Sequence, residues 1–275
     1  MNKTSITQKL RNKAKELNSP YNVILNQFFF DEFLKLLSLS PYREKFMLKG
    51  GMLLTYTLGV QNRATNDIDV LIKGLKIENS QLKNILAEIV RPQNFESVWF
   101  EIIGDGETIR VEDEYGGVKF RIIGHLANIQ LPFSLDIATG DPVYPEAKEN
   151  NYTTILGESF LLKQYPIESV LSEKLQTVIM RAESNGRSKD FYDIYTILKV
   201  KSIDYEVLKT AVALTFNYRG TELNKEGAKK ILIRISQDTL FQERWNRYIK
   251  KNPYTNNLEF QLVLVKIEEL IDSVM

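Results

Sequence analysis

The sequence contains no cysteine and only one histidine, His125. The first absence excludes disulfides, thiolate nucleophiles and Cys-ligated zinc. The second excludes paired-histidine metal sites and leaves at most one imidazole for acid–base work. There is no run of about 18 apolar residues, the length a membrane-spanning helix needs, and the basic stretch 1–18 is not followed by the apolar segment of a secretory leader. A cytoplasmic protein without a membrane segment is therefore expected. Neither sign of charge dominates: 36 Lys and Arg against 35 Asp and Glu leave a net charge of +1. No basic field covers the molecule, so any nucleic-acid contact must be local. Chemistry has to rest on carboxylates, lysines and arginines.

What is present is ordinary for a globular protein: 275 residues, 43% apolar and 26% charged, enough for one large domain or two modest ones. Ser5-x-x-Gln8 reads as a capping box opening a first helix, and 21–37 has helical spacing of Ile24, Phe28, Phe33 and Leu37. Phe46-Met47-Leu48 leads into Gly50-Gly51 and a helix that ends near Gly59. Asp67-Ile68-Asp69-Val70-Leu71-Ile72 alternates as a strand, and 79–90 suits a helix. Four β-rich runs follow, 98–103, 108–114, 118–126 and 129–137, with Tyr115-Gly116-Gly117 as a hairpin turn able to take positive φ. Pro142, Pro145 and the polar run 148–151 read as a connection. Pro166 precedes a helix over 167–183 stopped by Asn185-Gly186, Ser188 caps the next, and the sequence beyond Asp204 is helical throughout. The expectation is an α+β fold, a mixed sheet with flanking helices over 1–165, and a helical domain over 166–275.

The strongest functional signal is Gly50-Gly51, a helix-sized spacer, and Asp67-x-Asp69 on a strand. Residues two apart on a strand share a face, so both carboxylates can hold one or two hard cations. Paired glycines at a helix start let backbone N–H groups approach a phosphate, favoured by the helix dipole. Alone, either motif reads as a strand end and a turn. Together they resemble the signature of the nucleotidyltransferase superfamily related to polymerase β. That resemblance calls for a third carboxylate on a later strand of the same sheet. Asp136, in an otherwise apolar strand where a carboxylate is costly to bury without a positive partner, is the candidate, and Asp141 the alternative. A second cluster comprises Lys174, Arg181, Arg187, Lys189, Asp190 and Asp193; on charge pattern alone it is a solvated helix face. His125 reads as a packed strand histidine, and Gly104-Asp105-Gly106 as a turn.

Phe46-Met47-Leu48-Lys49-Gly50-Gly51, then Arg63-x-Thr65-x-Asp67-Ile68-Asp69, then Lys174 followed by Arg187-x-Lys189-Asp190-x-x-Asp193 resemble, in that order, the AbiEii/AbiGii family of bacterial toxins. The likeness covers roughly the first 200 residues. It implies a polymerase-β-like nucleotidyltransferase core with a helical C-terminal part completing the active site, and a winged-helix antitoxin encoded nearby. It also implies a role in abortive infection and phage defence, and transfer of a nucleotide from a nucleoside triphosphate (NTP), in some branches to the 3′ end of tRNA. Carried over by motif, Asp67 and Asp69, with Asp136, hold Mg²⁺ or Mn²⁺. Lys174 is the triphosphate lysine, and Asp190 the acidic residue of the last motif, with Asp193 as the alternative. Lys49, Gly50, Gly51, Arg63, Thr65, Arg181, Lys189 and Asp193 are the other implied nucleotide contacts. The chain departs from the superfamily in having Gly51 where serine is usual. Two other functions compete, a nucleotidyltransferase acting on a small molecule and a non-catalytic module that binds an NTP or a protein partner.

Overall fold

The computed structural model describes residues 3–73, 78–91, 97–109, 116–181 and 187–275. It divides into two compact units, one of Met1–Asp141 with Lys148–Tyr165 and one of Pro142–Ala147 with Pro166–Met275. No helix among the described residues is long and apolar enough to cross a membrane.

The first unit opens with α1 (Lys3–Glu16) and α2 (Tyr21–Leu39), followed by β1 (Phe46–Lys49), α3 (Gly50–Leu58), β2 (Asp67–Ile72) and α4 (Asn79–Ile89). Then come β3 (Val98–Ile109), β4 (Gly117–Leu126), β5 (Ile129–Ala138), β6 (Lys148–Thr153) and β7 (Ser159–Gln164). These strands form one sheet in the order β3-β4-β5-β2-β1-β7-β6. Its pairings are antiparallel except for β2 with β5 and β1 with β7, so the sheet is mixed as expected. Side chains alternate between its faces. Phe100, Phe120, Ile122, Phe133, Leu135 and Ile137 are buried on one face, where Phe29, Phe30 and Phe33 of α2 meet Phe100 and Phe133 edge-on. Such pairs add to the area buried by large aromatic side chains. The opposite face carries Asp67, Asp69 and Asp136.

Local details differ from the sequence expectations. Helix α1 begins at Lys3, which puts Ser5 inside it, and Gln8 donates to Asn12 instead of closing a capping box. The run 148–151 belongs to strand β6, paired with β7, and is not a connection. Its side chains are exposed apart from Tyr152, so as a sheet edge it lacks the alternation that marks a half-buried strand. Gly117 is a strand residue paired with Ile109, and neither it nor Gly116 has positive φ. Positive φ occurs instead at Gly104 and Gly106, where the β3–β4 register shifts between Ile103 and Glu107. The 104–106 stretch is thus a bulge within one long strand. Residues 110–115, where the strand over 108–114 was expected to end, lie outside the described residues, as does the Asn185-Gly186 helix stop.

The second unit contains α5 (Ile167–Arg181), α6 (Ser188–Val200), α7 (Tyr205–Tyr218), α8 (Lys225–Gln237), α9 (Thr239–Lys251) and α10 (Phe260–Val274). Phe191, Phe241, Trp245 and Phe260 form its aromatic centre. Asp204, Asn224 and Asp238 cap α7, α8 and α9 by accepting backbone N–H groups. Ser188 is the first helical residue of α6 and not its cap, a place taken by Arg187. The Pro142–Ala147 segment is tied in through Ser169, whose Oγ accepts from Tyr144 N–H and donates to Tyr144 carbonyl oxygen.

One buried carboxyl fastens the β6–β7 side of the sheet to α2. Asp31 accepts from Gln27 at 2.7 Å, from the Tyr152 hydroxyl at 2.6 Å and from the Ile155 backbone N–H at 2.6 Å. Burial pushes its pKa up to about 7, against the lowering effect of those three donors. Because the folded carboxyl keeps a proton that the unfolded chain has released, its contribution to stability is largest at low pH. It falls as pH rises from about 4 to about 7, and is flat above. Asp31→Ala should remove this slope from urea-denaturation midpoints measured between pH 4 and pH 8. It should also lower stability at pH 7 by about 1–3 kcal/mol per donor left without a partner, Tyr152 and Ile155 foremost.

Candidate active site

The turn from β1 into α3 explains the paired glycines. Gly50 has φ +61, which L side chains avoid, and a Cβ there would lie 2.2 Å from Asp69 Oδ2. A Cβ on Gly51 would lie 2.7 Å from Thr65 Oγ1. At both positions Asp69 and Thr65 fill the space that a side chain would take. Asp69 Oδ2 accepts the Gly51 backbone N–H at 2.9 Å, satisfying one of the free donors at the start of α3. Thr65 Oγ1 donates to Asp67 Oδ1 at 2.5 Å and fixes that carboxylate. The buried Arg63 reaches within 3.6 Å of the same Gly51 position and donates to the Ala64 carbonyl. A side chain at position 51 would meet the Thr65 hydroxyl, so one of the two would have to shift.

The parallel pairing of β2 with β5 sets Asp67 opposite Ser134 and Asp69 opposite Asp136. All three carboxylates share one face, brought together from positions about 70 residues apart in sequence. Asp136 is pushed up to about 6, first by burial and then by the charge of Asp69, with Lys119 opposing; Asp67 adds a smaller push in the same direction. Its Oδ2 lies 3.3 Å from Lys119 Nζ, while its buried Oδ1 has no hydrogen-bond partner. Repelling carboxylates with one unsatisfied oxygen fit a hard divalent cation. Among the described residues no group of three His, Cys, Asp or Glu side chains converges on one point. The arrangement matches an ion held by one or two carboxylates and completed by substrate phosphates, as Mg²⁺ commonly is.

The structure separates the other sequence candidates. Lys49 is buried, with Nζ 2.9 Å from Asp141 Oδ2 and 4.9 Å from the centre of the Tyr165 ring. Its charge is met inside the protein, and Asp141 is engaged by the same pair, so Asp136 is the carboxylate standing beside Asp69. Lys119 is the residue the sequence reading missed. Its signal was the two-residue loop between Leu126 and Ile129, which fixes the hairpin register and puts Lys119 across from Asp136.

In the second unit Lys174 Nζ lies 2.8 Å from Asp190 Oδ1 and 2.7 Å from Asp193 Oδ2, and Arg187 Nε lies 2.9 Å from Asp190 Oδ2. Burial alone would lower the Lys174 pKa, yet the two carboxylates more than offset it and push it up. Lys174, Asp190 and Asp193 thus form a closed buried cluster rather than a solvated face, with α6 clasped to α5. Arg181 and Lys189 lie exposed. In the tail, Lys229 pairs with Glu268 and Asp272.

Removing one member of a buried charge cluster leaves the others uncompensated, typically at about 3–5 kcal/mol. Lys174→Met should therefore lower the unfolding free energy by roughly that amount, whereas Lys189→Ala should change it by under about 0.5 kcal/mol. Chemical denaturation of both variants checks this, and equal stability would mean that Lys174 is not a structural charge.

Two solved structures share the fold. One, a protein from H. pylori described as a candidate nucleotidyltransferase, superposes with a TM-score of 0.55 at 14% identity, over 92% of this chain and 94% of that one. JHP933 from Helicobacter pylori gives 0.53 at 12% identity, over 92% and 91%. No curated protein matches the sequence. The profile of the nucleotidyl transferase AbiEii toxin, type IV toxin–antitoxin system, matches residues 32–266, which spans both units and all three motifs. With a match over most of its length, the chain belongs to the AbiEii nucleotidyltransferase toxin family.

Proposed function

We propose that this nucleotidyltransferase moves a nucleotide from an NTP to the 3′ end of an RNA acceptor, tRNA foremost, in a Mg²⁺- or Mn²⁺-dependent reaction in the cytoplasm. The observation that carries the reading is the register of Asp69 with Asp136, beside the start of α3 and on the face that also presents Asp67. One or two of Asp67, Asp69 and Asp136 would hold the ion, which when bound supplies charge for the α-phosphate and for the departing pyrophosphate. The acceptor hydroxyl oxygen forms a bond to the α-phosphorus, the α–β bridging P–O bond breaks, and pyrophosphate leaves. Asp136, which stands in register with Asp69 and has one carboxylate oxygen without a hydrogen-bond partner, would accept the hydroxyl proton. Thr65 keeps Asp67 oriented, and the Gly51 N–H does the same for Asp69. No step needs a histidine.

Family membership implies an antitoxin partner. A winged-helix protein encoded nearby is the form proposed for it, with growth arrest as the consequence of the toxin acting alone.

Incubating the protein and Mg²⁺ with each labelled NTP and total bacterial RNA should transfer label to RNA. Asp67→Asn and Asp69→Asn should each reduce transfer by at least about a hundredfold, the scale seen when one group stabilising a transition state is lost. Thermal stability of Asp69→Asn should be unchanged or higher, because its repulsion with Asp136 is relieved. Transfer at the wild-type rate in both variants would overturn the acidic site. Expressed without antitoxin, the wild-type chain should arrest bacterial growth and the Asp67→Asn chain should not.

A further inference from the structure

The sheet face that carries the acidic residues continues across β5, β4 and β3, where it holds a feature the reaction does not use. Trp99 on β3 pairs with His125 on β4, and the two rings stack at 3.7 Å with an interplanar angle of 2°. His125 is buried beneath it, whereas 41% of the Trp99 surface stays exposed. A large aromatic ring normally buries its surface; this one is held flat by a partner and offered to solvent. Between the stack and Asp136 the same face presents Lys119 and Arg121, alternate residues of β4 in register with Asp136 and Ser134.

The charges on this face are specific. Lys119 stands between Asp136 and Glu107, its partners across the two ladders, and Glu101 lies 3.4 Å from His125 Nε2. Arg121 is exposed and meets no carboxylate within ion-pair distance among the described residues. From Lys119 to His125 the strand advances six residues, about 20 Å, so a few extended nucleotides separate the stack from the acidic residues. A ring that takes a base on its face, followed by one cation for a backbone phosphate, is how single-stranded nucleic acid is held without reading its sequence.

We propose that this face is the acceptor track: the single-stranded 3′ end of an RNA lies along β4, one base stacks on Trp99, a backbone phosphate meets Arg121, and the terminal hydroxyl is led to Asp136. The purpose of the bound RNA rests on the nucleotidyltransferase reading, but the binding surface does not. Duplex RNA is a poor occupant, because its bases are already stacked on each other and cannot reach the ring. Trp99 is a binding residue here, and Arg121 supplies the salt-sensitive part of the affinity.

The chain has two tryptophans, and Trp245 is only 1% exposed, so quenching of emission by a single-stranded RNA of about ten nucleotides reports Trp99. Quenching is expected in wild type and should vanish in Trp99→Phe, which nonetheless should bind the same RNA within about threefold by anisotropy. Trp99→Ala should bind roughly tenfold more weakly, and Arg121→Ala should lower the log–log salt slope by about one. In transfer assays Trp99→Ala should raise KM for RNA and leave KM for the NTP unchanged. Wild-type affinity in Trp99→Ala, or RNA binding that does not quench wild-type emission, would overturn the proposal. A wild-type protein that binds RNA through Trp99 yet transfers no nucleotide would support the surface and count against the reaction.

Discussion

The parallel pairing of β2 with β5 is the constraint on which the catalytic reading depends. Its register places Asp69 beside Asp136 and forces two carboxylates into proximity at the centre of the sheet. Carboxylates placed side by side are unfavourable unless protonation or a cation relieves them, and the Asp136 pKa is raised first by burial and then by the charge of Asp69. The surrounding contacts keep the arrangement in place. Thr65 restrains Asp67, the start of α3 restrains Asp69, and the paired glycines give way to both.

The two charge clusters differ in kind. At Asp67, Asp69 and Asp136 three carboxylates share one face, and Lys119 lies 3.3 Å from Asp136. At Lys174, Asp190 and Asp193 a buried ammonium is met by two carboxylates at hydrogen-bonding distance, and Arg187 meets the second oxygen of Asp190. The first is a group of like charges, whereas in the second opposite charges are paired, although Asp190 Oδ2, like Asp136 Oδ1, has no hydrogen-bond partner among the described residues. On charge pattern alone the second cluster reads as a solvated helix face; burial and distance show it to be a buried one.

Much of the fold was legible from residue pattern. The helix from Asn79 and the antiparallel meander carried clear periodicity because each buries mainly one face, and the helix from Tyr21 and the strand Asp67–Ile72 were marked by their apolar runs. Edge strand β6 was not legible: KENNYT has one buried side chain and no alternation to read. The packing around the glycines was not legible for a similar reason. Sequence reports an absent side chain but not which neighbour fills the space, and here the neighbours are Asp69 and Thr65. The grouping of Asp136 with Asp69 depended on a parallel register between distant strands, which composition and spacing do not encode. The Lys119 position could have been counted from the tight β4–β5 loop, since hairpin register follows from loop length.

The route of the chain through the first unit bears on its synthesis. Strand β1 lies between β2 and β7, yet β7 is not reached until residue 159, after the chain has contributed Pro142–Ala147 to the second unit. A nascent chain extended only to Ala138 can form β2 against β5 and the meander beyond it, while one edge of β1 stays bare. Long-range pairing of this sort is slow, and an unpaired apolar strand edge readily recruits other chains. Phe46, Met47 and Leu48 make that edge strongly apolar. Until β7 emerges from the ribosome, this apolar strand has no partner on that side.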